Sequence, residues 1–197
     1  MIADLIKKNR SCRRFYQNHK VNMKTLKNLV NLARLSASAA NLQPLKYILS
    51  CNPEKNARIF SCLAWAGYIN DWPGPAEGER PAAYIIILGH TVISKTFGCD
   101  YGIAGQSMLL GAREKGLAGC MIGAVNRRKL RKLFDIAPEY KILLVIAIGK
   151  PKEKVKVEAV DSDSSLDMAD NIKYWRDDKG VHYVPKRKLN DIIIDCY

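Results

Sequence analysis

Ser36-Ala37-Ser38-Ala39-Ala40-Asn41-Leu42-Gln43-Pro44-Leu45-Lys46-Tyr47-Ile48-Leu49 is the stretch from which the fold is read. Its first five residues carry almost no side-chain bulk, so backbone or ligand can approach closely. Asn41 and Gln43 each offer amide donors and an acceptor, which suits the edge of a heteroaromatic ring. Pro44 ends any helix arriving from Thr25, because the residue before a proline is pushed out of the helical region. Tyr47-Ile48-Leu49 then begins a strand. Two readings fit these residues alone: a ligand-contacting turn, or a helix end packed on a neighbour through its alanines.

Working outward, residues 2–9 form a short helix with Ile2, Leu5 and Ile6 on one face. Leu26, Leu29, Val30, Leu32 and Ala33 recur at helical spacing over 25–37, with Asn22 or Thr25 as the cap. A further helix is expected over 56–65. Residues 67–81, rich in Gly, Pro and charge, make a loop whose Tyr68 and Trp72 either lie on the surface or wall a substrate. Ala82–Leu88 is a continuous apolar run, as in a strand buried on both faces. The helix over 100–115 is apolar on most of its circumference, so it belongs in a core or a dimer interface, and Gly102, Ala104, Gly105 and Gly111 permit close packing. Short and long strands follow at 120–122 and 140–149, separated by a basic amphipathic helix at 126–134. From 150 to 178 the chain is charged and loop-like, and 150–197 is expected to be an extended C-terminal arm of one domain spanning 1–197; residues 191–195 add a final strand. The expected class is α+β, a three-layer sandwich of sheet and flanking helices.

The chain has 197 residues, enough for one domain with a sizeable core. No apolar run reaches the ~18 residues that a bilayer span needs, and Asp4 with a lysine pair interrupts what a signal peptide would keep apolar. Six cysteines show no CxxC or zinc-ligand spacing, which points to reduced, mostly buried thiols in a cytoplasmic protein. The net charge of +13 calls for anionic partners. Its basic residues are scattered over several helices without interleaved aromatics, so a phosphate-bearing small molecule suits it better than nucleic acid. Hydrolytic and metal chemistry lack a signature: no G-x-S-x-G, HExxH, Walker A loop or GxGxxG after a strand is present. A chain without catalytic side chains fits chemistry carried by a cofactor.

Four motifs in order resemble the nitroreductase family. Ser36–Pro44 reads S-x-S-x-x-N-x-Q-P; Arg10–Phe15 is similar to R-S-x-R-x-F; Gly116–Gly123 reads G-L-A-G-C-M-I-G; and Val184–Arg187 is a basic C-terminal element. The resemblance implies an α+β homodimer with a central, mostly antiparallel sheet and flavin sites at the subunit interface. It implies FMN as cofactor, NADH or NADPH as donor, and a nitroaromatic, quinone or other electron-poor small molecule as acceptor. Arg10, Ser11, Lys186 and Arg187 would hold the phosphate. Arg13 would stand by the pyrimidine edge, with Cys12 packed near the ligand. Ser38, Ala39, Asn41 and Gln43 would line the ring edge or ribityl chain, donated by the other subunit. Backbone around Ile122 and Gly123 would face the hydride-accepting nitrogen. The sequence departs from the pattern at Asn9, often basic in the family; at Leu45, often aromatic; and in the third motif, where glycine replaces an acidic residue. Two alternatives share part of these features: the same fold running reductive dehalogenation or flavin fragmentation, and a basic nucleic-acid-binding domain.

Overall fold

The computed structural model describes residues 1–69, 72–160 and 172–197. In chain order the elements are α1 (Ile2–Lys8), β1 (Phe15–Tyr16), α2 (Met23–Arg34), β2 (Leu45–Ser50), α3 (Pro53–Phe60), β3 (Ala83–His90) and α4 (Asp100–Glu114). They continue with β4 (Ala118–Ile122), α5 (Arg127–Leu133), β5 (Tyr140–Pro151), β6 (Val155–Ala159), β7 (Trp175–Arg176) and β8 (His182–Lys186). The chain divides into two compact units, residues 1–65 with 73–152, and residues 66–72 with 153–197.

The larger unit is built on an antiparallel sheet in the order β1-β5-β3-β2, with β4 also on β5. Its two most apolar segments are the strands that pair most extensively, Ala83 opposite Ile148 through His90 opposite Tyr140. Side chains alternate across a strand. Ile85, Ile87, Leu144, Ile146 and Ile148 accordingly meet α2 and α4 residues Leu26, Leu29, Ala104, Met108 and Ala112 in one core. Tyr84 and Ile86 on the opposite face are also fully buried, so β3 is covered on both sides, as its unbroken hydrophobicity implied. Each buried Ile or Leu contributes about 1.5–3 kcal/mol.

Local chemistry sets the ends of the helices. Asn22, Asn52 and Asn126 accept from the backbone N–H three residues on, capping α2, α3 and α5. The expected end of α2 needs correction: it stops at Arg34 with Leu35 as its cap, ten positions before Pro44. A 3-10 turn at Ala39–Asn41 intervenes, so the proline stands just before β2 rather than stopping the helix. Gly111 and Gly105 behave as close-approach positions, since a Cβ there would lie 2.2 Å from Leu32 Cδ1 and 2.9 Å from Met121 Sδ respectively. Gly102 does not, because a Cβ there would meet nothing within 4 Å.

The smaller unit corrects the loop-like reading of the arm. Val155–Ala159 pairs in parallel with His182–Lys186, and β7 joins β8 antiparallel, giving a three-stranded sheet. The alternating Val155, Val157 and Ala159 within a charged context hid β6. Trp175 stacks on Tyr183 with centroids 4.3 Å apart, and Arg176 pairs with buried Glu153. The expected strand at 191–195 is absent: Leu189–Asp191 makes a 3-10 turn and no described residue beyond it is in a strand. The expected loop at 67–81 is divided between the units. Tyr68 lies against Tyr174 at 5.0 Å and Trp72 beneath Arg176 at 4.6 Å in the smaller one, while Glu79 pairs with Arg14 and Lys152 in the larger. Residues 70–71 of that loop and 161–171 of the arm lie outside the described residues.

Candidate functional site

Two of the sequence motifs meet in the larger unit. The Cys12 N–H donates to the Gly119 carbonyl at 3.0 Å, and Cys12, Phe15 and Ala118 form a small buried cluster. β5 pairs with β4 over Val145–Gly149 and with β1 at Lys150–Pro151, so the strands carrying these motifs lie along successive segments of one strand. Arg13 is 9% exposed, while Ser11 beside it faces solvent. Arg10 turns back on α1, donating from Nε to the Asn9 carbonyl at 2.6 Å and from Nη2 to the Ile6 carbonyl at 2.7 Å. Two of its five N–H donors therefore close the helix C-terminus, and the rest stay available to an anion. Ile122 is buried at the end of β4, whereas Gly123 is exposed, with nothing within 4 Å of a Cβ built on it. On that side the Gly123 main chain leaves room for a flat ligand, while its carbonyl accepts from Arg127 Nη2 at 3.2 Å.

The Ser36–Pro44 stretch is organised by Asp100, a residue to which the sequence assigned no role. Asp100 is 4% exposed at the first position of α4. Its Oδ2 accepts from Ser38 Oγ at 2.6 Å and its Oδ1 from the Ala39 N–H at 3.0 Å. Ser38 Oγ in turn accepts from the Gln43 N–H at 3.0 Å. These bonds hold a strained turn in which Ala40, Asn41 and Gln43 have φ of 49°, 54° and 49°, a region that L-residues enter at some cost. Gln43 Nε2 donates to the Asn41 side-chain oxygen at 3.1 Å, so the two amides lie together on an exposed surface. The Ser38 proton is thus committed to Asp100, leaving this serine to act through one lone pair and through the turn it shapes.

A cavity of about 180 Å³ opens here, with Ser38, Gln43, Tyr47 and Asp100 in its wall. Burial, and then the charge of Asp100, pushes the Tyr47 phenol up to about 12, so it is a neutral hydroxyl near pH 7. The cavity is below the ~300 Å³ at which cofactor and drug-sized sites begin.

α4 places the two halves on different sides. Asp100 and Ser107, two turns apart, share a face, and Ser107 Oγ accepts from Ser36 Oγ at 2.7 Å. Gln106, about 100° round the helix from Ser107, accepts from the side chain of buried Asn9 at 3.4 Å. One chain therefore anchors the Ser36–Pro44 turn and the Arg10–Phe15 segment on separate faces of one helix. Lys186, exposed at the end of β8, and Arg187 beside it belong to the smaller unit.

The sequence profile described as the Nitroreductase family matches residues 6–150. The chain belongs to the nitroreductase family. Among curated proteins it resembles one from Bacillus subtilis (strain 168) with the provisional name NAD(P)H nitroreductase YodC. The two are 23% identical over 177 aligned positions, covering 75% of this chain and 88% of that protein. Solved nitroreductase-family structures share the fold. An FMN-dependent nitroreductase from Clostridium difficile R20291 matches with a TM-score of 0.65 and 22% identity, covering 86% of this chain and 96% of its own. A nitroreductase family protein from Clostridium novyi NT gives 0.64 and 22%, covering 77% and 86%. CLA-ER, an enone reductase of gut-bacterial fatty acid saturation, gives 0.66 and 20%, covering 82% and 93%.

Two features of this nitroreductase-family chain escaped the sequence reading. Asp100 lies 62 positions from Ser38, and a carboxylate opening a helix is common enough to carry no signal. The second is the use made of the arginines on the basic helix α5. Arg127 donates to the carbonyls of Ile142, Leu143 and Gly123, and Arg131 to those of Ile136, Ala137 and Tyr140. Those guanidinium groups tie loops to strands and are largely spent. Among the described residues no helix is long and apolar enough to cross a membrane, and no cluster of His, Cys, Asp and Glu could hold a metal ion.

Proposed function

We propose that this chain is an FMN-dependent oxidoreductase that takes hydride from NADH or NADPH and reduces an electron-poor small molecule. The observation that carries this reading is the meeting of the Arg10–Phe15 and Gly116–Gly123 motifs at Cys12 and Gly119, close in sequence to Gly123, whose Cβ direction is open. Both features fit a flat ring laid against backbone and a phosphate held by basic side chains. FMN, when bound, supplies a ring that accepts hydride and passes electrons on.

Every other task falls to the protein. Arg13, buried beside Cys12, is assigned to the pyrimidine edge, where its charge would face the negative charge of the reduced ring. The remaining donors of Arg10 and the Ser11 hydroxyl are assigned to the phosphate. The Ser38–Gln43 turn presents Ala39, Asn41 and Gln43 as a polar wall, held in shape by Asp100. That wall lies on a different face of α4 from the Arg10–Phe15 segment, and its own cavity holds only about 180 Å³. A homodimer in which each site combines the Arg10–Phe15 half of one copy with the Ser38–Gln43 half of the other resolves both points. The six cysteines, none of them in a disulfide, suit a reducing, cytoplasmic setting.

Nitroaromatics, quinones and enones share an electron-poor π-system, and this class is assigned as acceptor. The test is a visible spectrum of desalted protein, before and after FMN and then NADPH or NADH. A yellow protein that bleaches with reductant and recovers with a nitroaromatic or quinone supports the proposal. A protein that cannot be loaded with FMN overturns it, and product analysis separates it from dehalogenation or flavin fragmentation.

A further inference from the structure

Helix α5 sorts its basic residues by face. Arg127 and Arg131, one turn apart, donate to strand and loop carbonyls. Lys129 and Lys132, three positions apart and so also on one face, turn instead toward the end of α3. With Arg58, Ser61 and Leu133 they line an open cavity of about 280 Å³ in the larger unit. Lys129 Nζ spends one of its three donors on the Ser61 carbonyl at 3.1 Å. Arg58 and Lys132 are exposed, and among the described residues neither side chain pairs with a carboxylate. The Ser61 hydroxyl donates to the Arg58 carbonyl at 2.8 Å, and no acidic side chain lines the cavity.

Cations near helix ends commonly do no more than offset the negative C-termini. The magnitudes rule that out as the whole account. The C-termini of α3, at Ser61, and of α5, beside Leu133, lie at the cavity and carry about half a negative charge each. Three full positive charges exceed these by about two, which matches a phosphate monoester near pH 7. The volume is below the ~300 Å³ of a whole small-molecule site, so it takes one end of a longer ligand. Its position indicates which ligand. The end of α3 and the start of α5 are fastened to the main chain that follows Gly123. The Ala64 N–H donates to the Ala124 carbonyl at 2.9 Å, the Asn126 N–H donates to the Cys62 carbonyl at 2.7 Å, and Leu63 bridges Val125. From there α5 leads away, Lys132 lying about 9 Å further along its axis than Asn126. A dinucleotide whose nicotinamide reaches a ring at Gly123 carries its adenosine half well away from it, and α5 offers that half a basic end. The 2′-phosphate is what separates NADPH from NADH. We propose that Arg58, Lys129 and Lys132 hold the 2′-phosphate of NADPH, which makes NADPH the preferred donor. This rests on the flavin standing at Gly123.

The test is a calorimetric titration of the purified full chain with 2′,5′-ADP and, in parallel, with 5′-AMP, which lacks only the 2′-phosphate. 2′,5′-ADP is expected to bind about tenfold tighter. Arg58→Gln and Lys132→Gln change exposed side chains and should leave the melting temperature in place. Each should weaken 2′,5′-ADP about fivefold, and together they should bring it to the level of 5′-AMP. In FMN-loaded protein the ratio of flavin reduction rates with NADPH and with NADH should fall in step. Equal binding of the two nucleotides overturns the proposal, as does wild-type affinity for 2′,5′-ADP in the double variant. Inorganic phosphate binding as tightly as 2′,5′-ADP would make this a free-anion site and overturn it too. Weakened FMN retention in the double variant would reassign the cavity to the cofactor's own phosphate. Failure to load FMN would end the flavin reading, with the titration still deciding whether the cavity reads a 2′-phosphate.

Discussion

Ser38 donates to Asp100 at 2.6 Å across 62 positions of sequence. The same hydroxyl accepts from the Gln43 N–H, so a single oxygen fastens the Ser38–Gln43 turn to the first turn of α4. Backbone strain at Ala40, Asn41 and Gln43 is tolerable because this anchorage over-determines the turn.

Asp100→Ala therefore strips the acceptor from Ser38 Oγ and the Ala39 N–H together. Hydrogen bonds to a charged group contribute about 1.5–3 kcal/mol each, and partial exposure of the freed donors to water offsets part of that. A loss of about 2 kcal/mol in urea unfolding is expected, with weaker FMN retention. Ser38→Ala should cost about half as much. An Asp100→Ala protein as stable as wild type would remove the anchoring role.

Glu79 supplies a pH signature. The Arg14 guanidinium bonded to it, and then Lys152, hold its carboxyl at about 2 against the usual 4.5, burial pulling the other way. A depressed folded-state value means that the stabilisation is complete above about pH 5 and drains away as pH falls from 4.5 toward 2. Glu79→Gln should cost about 1–2 kcal/mol at pH 7, Lys152 being partly exposed and screened. Unfolding curves at pH 7, 4 and 2.5 should show the gap between variant and wild type closing. A gap independent of pH would contradict the ion-pair origin.

Gly119 and Gly123, four residues apart, should respond oppositely to alanine. A Cβ at Gly119 would lie 2.5 Å from the Ala147 carbonyl oxygen, a backbone atom of the paired strand that cannot swing aside. Gly119→Ala is expected to cost about 3 kcal/mol. Gly123→Ala has open space and should change stability by no more than about 0.5 kcal/mol. If flavin lies against Gly123, the same variant loses FMN affinity about tenfold. Normal FMN binding by Gly123→Ala would move the ring elsewhere.

Arg13 distinguishes holding the cofactor from tuning it. A cation beside the pyrimidine edge stabilises charge that appears on reduction, and removing such a group costs about a hundredfold in rate. Arg13→Ala should slow bleaching of bound flavin by NADPH by about that factor, and weaken FMN by less than tenfold. Stopped-flow reduction and FMN titration measure the two separately. Equal losses would make Arg13 a binding residue only.

Much of this molecule was determined locally. The apolar runs at 82–88 and 142–149 favour buried strands, because their side chains leave neither face fit for water. The spacing of Leu26, Leu29 and Ala33 specifies the face of α2 that is buried, and three asparagines cap the helices they precede. What the sequence alone could not determine depends on distant partners. Pro44 looked like a helix stop, yet α2 ends at Arg34 because a strained turn bonded to Asp100 takes up the intervening residues. The charged arm looked like loop because parallel pairing of β6 with β8 bridges 27 positions from Val155 to His182, and no local pattern reports it. The arginines of α5 belong to a basic amphipathic pattern that says nothing of the strand and loop carbonyls they bond. Propensity and periodicity act over a few residues, whereas the partner of a buried charge or hydroxyl is chosen by folding.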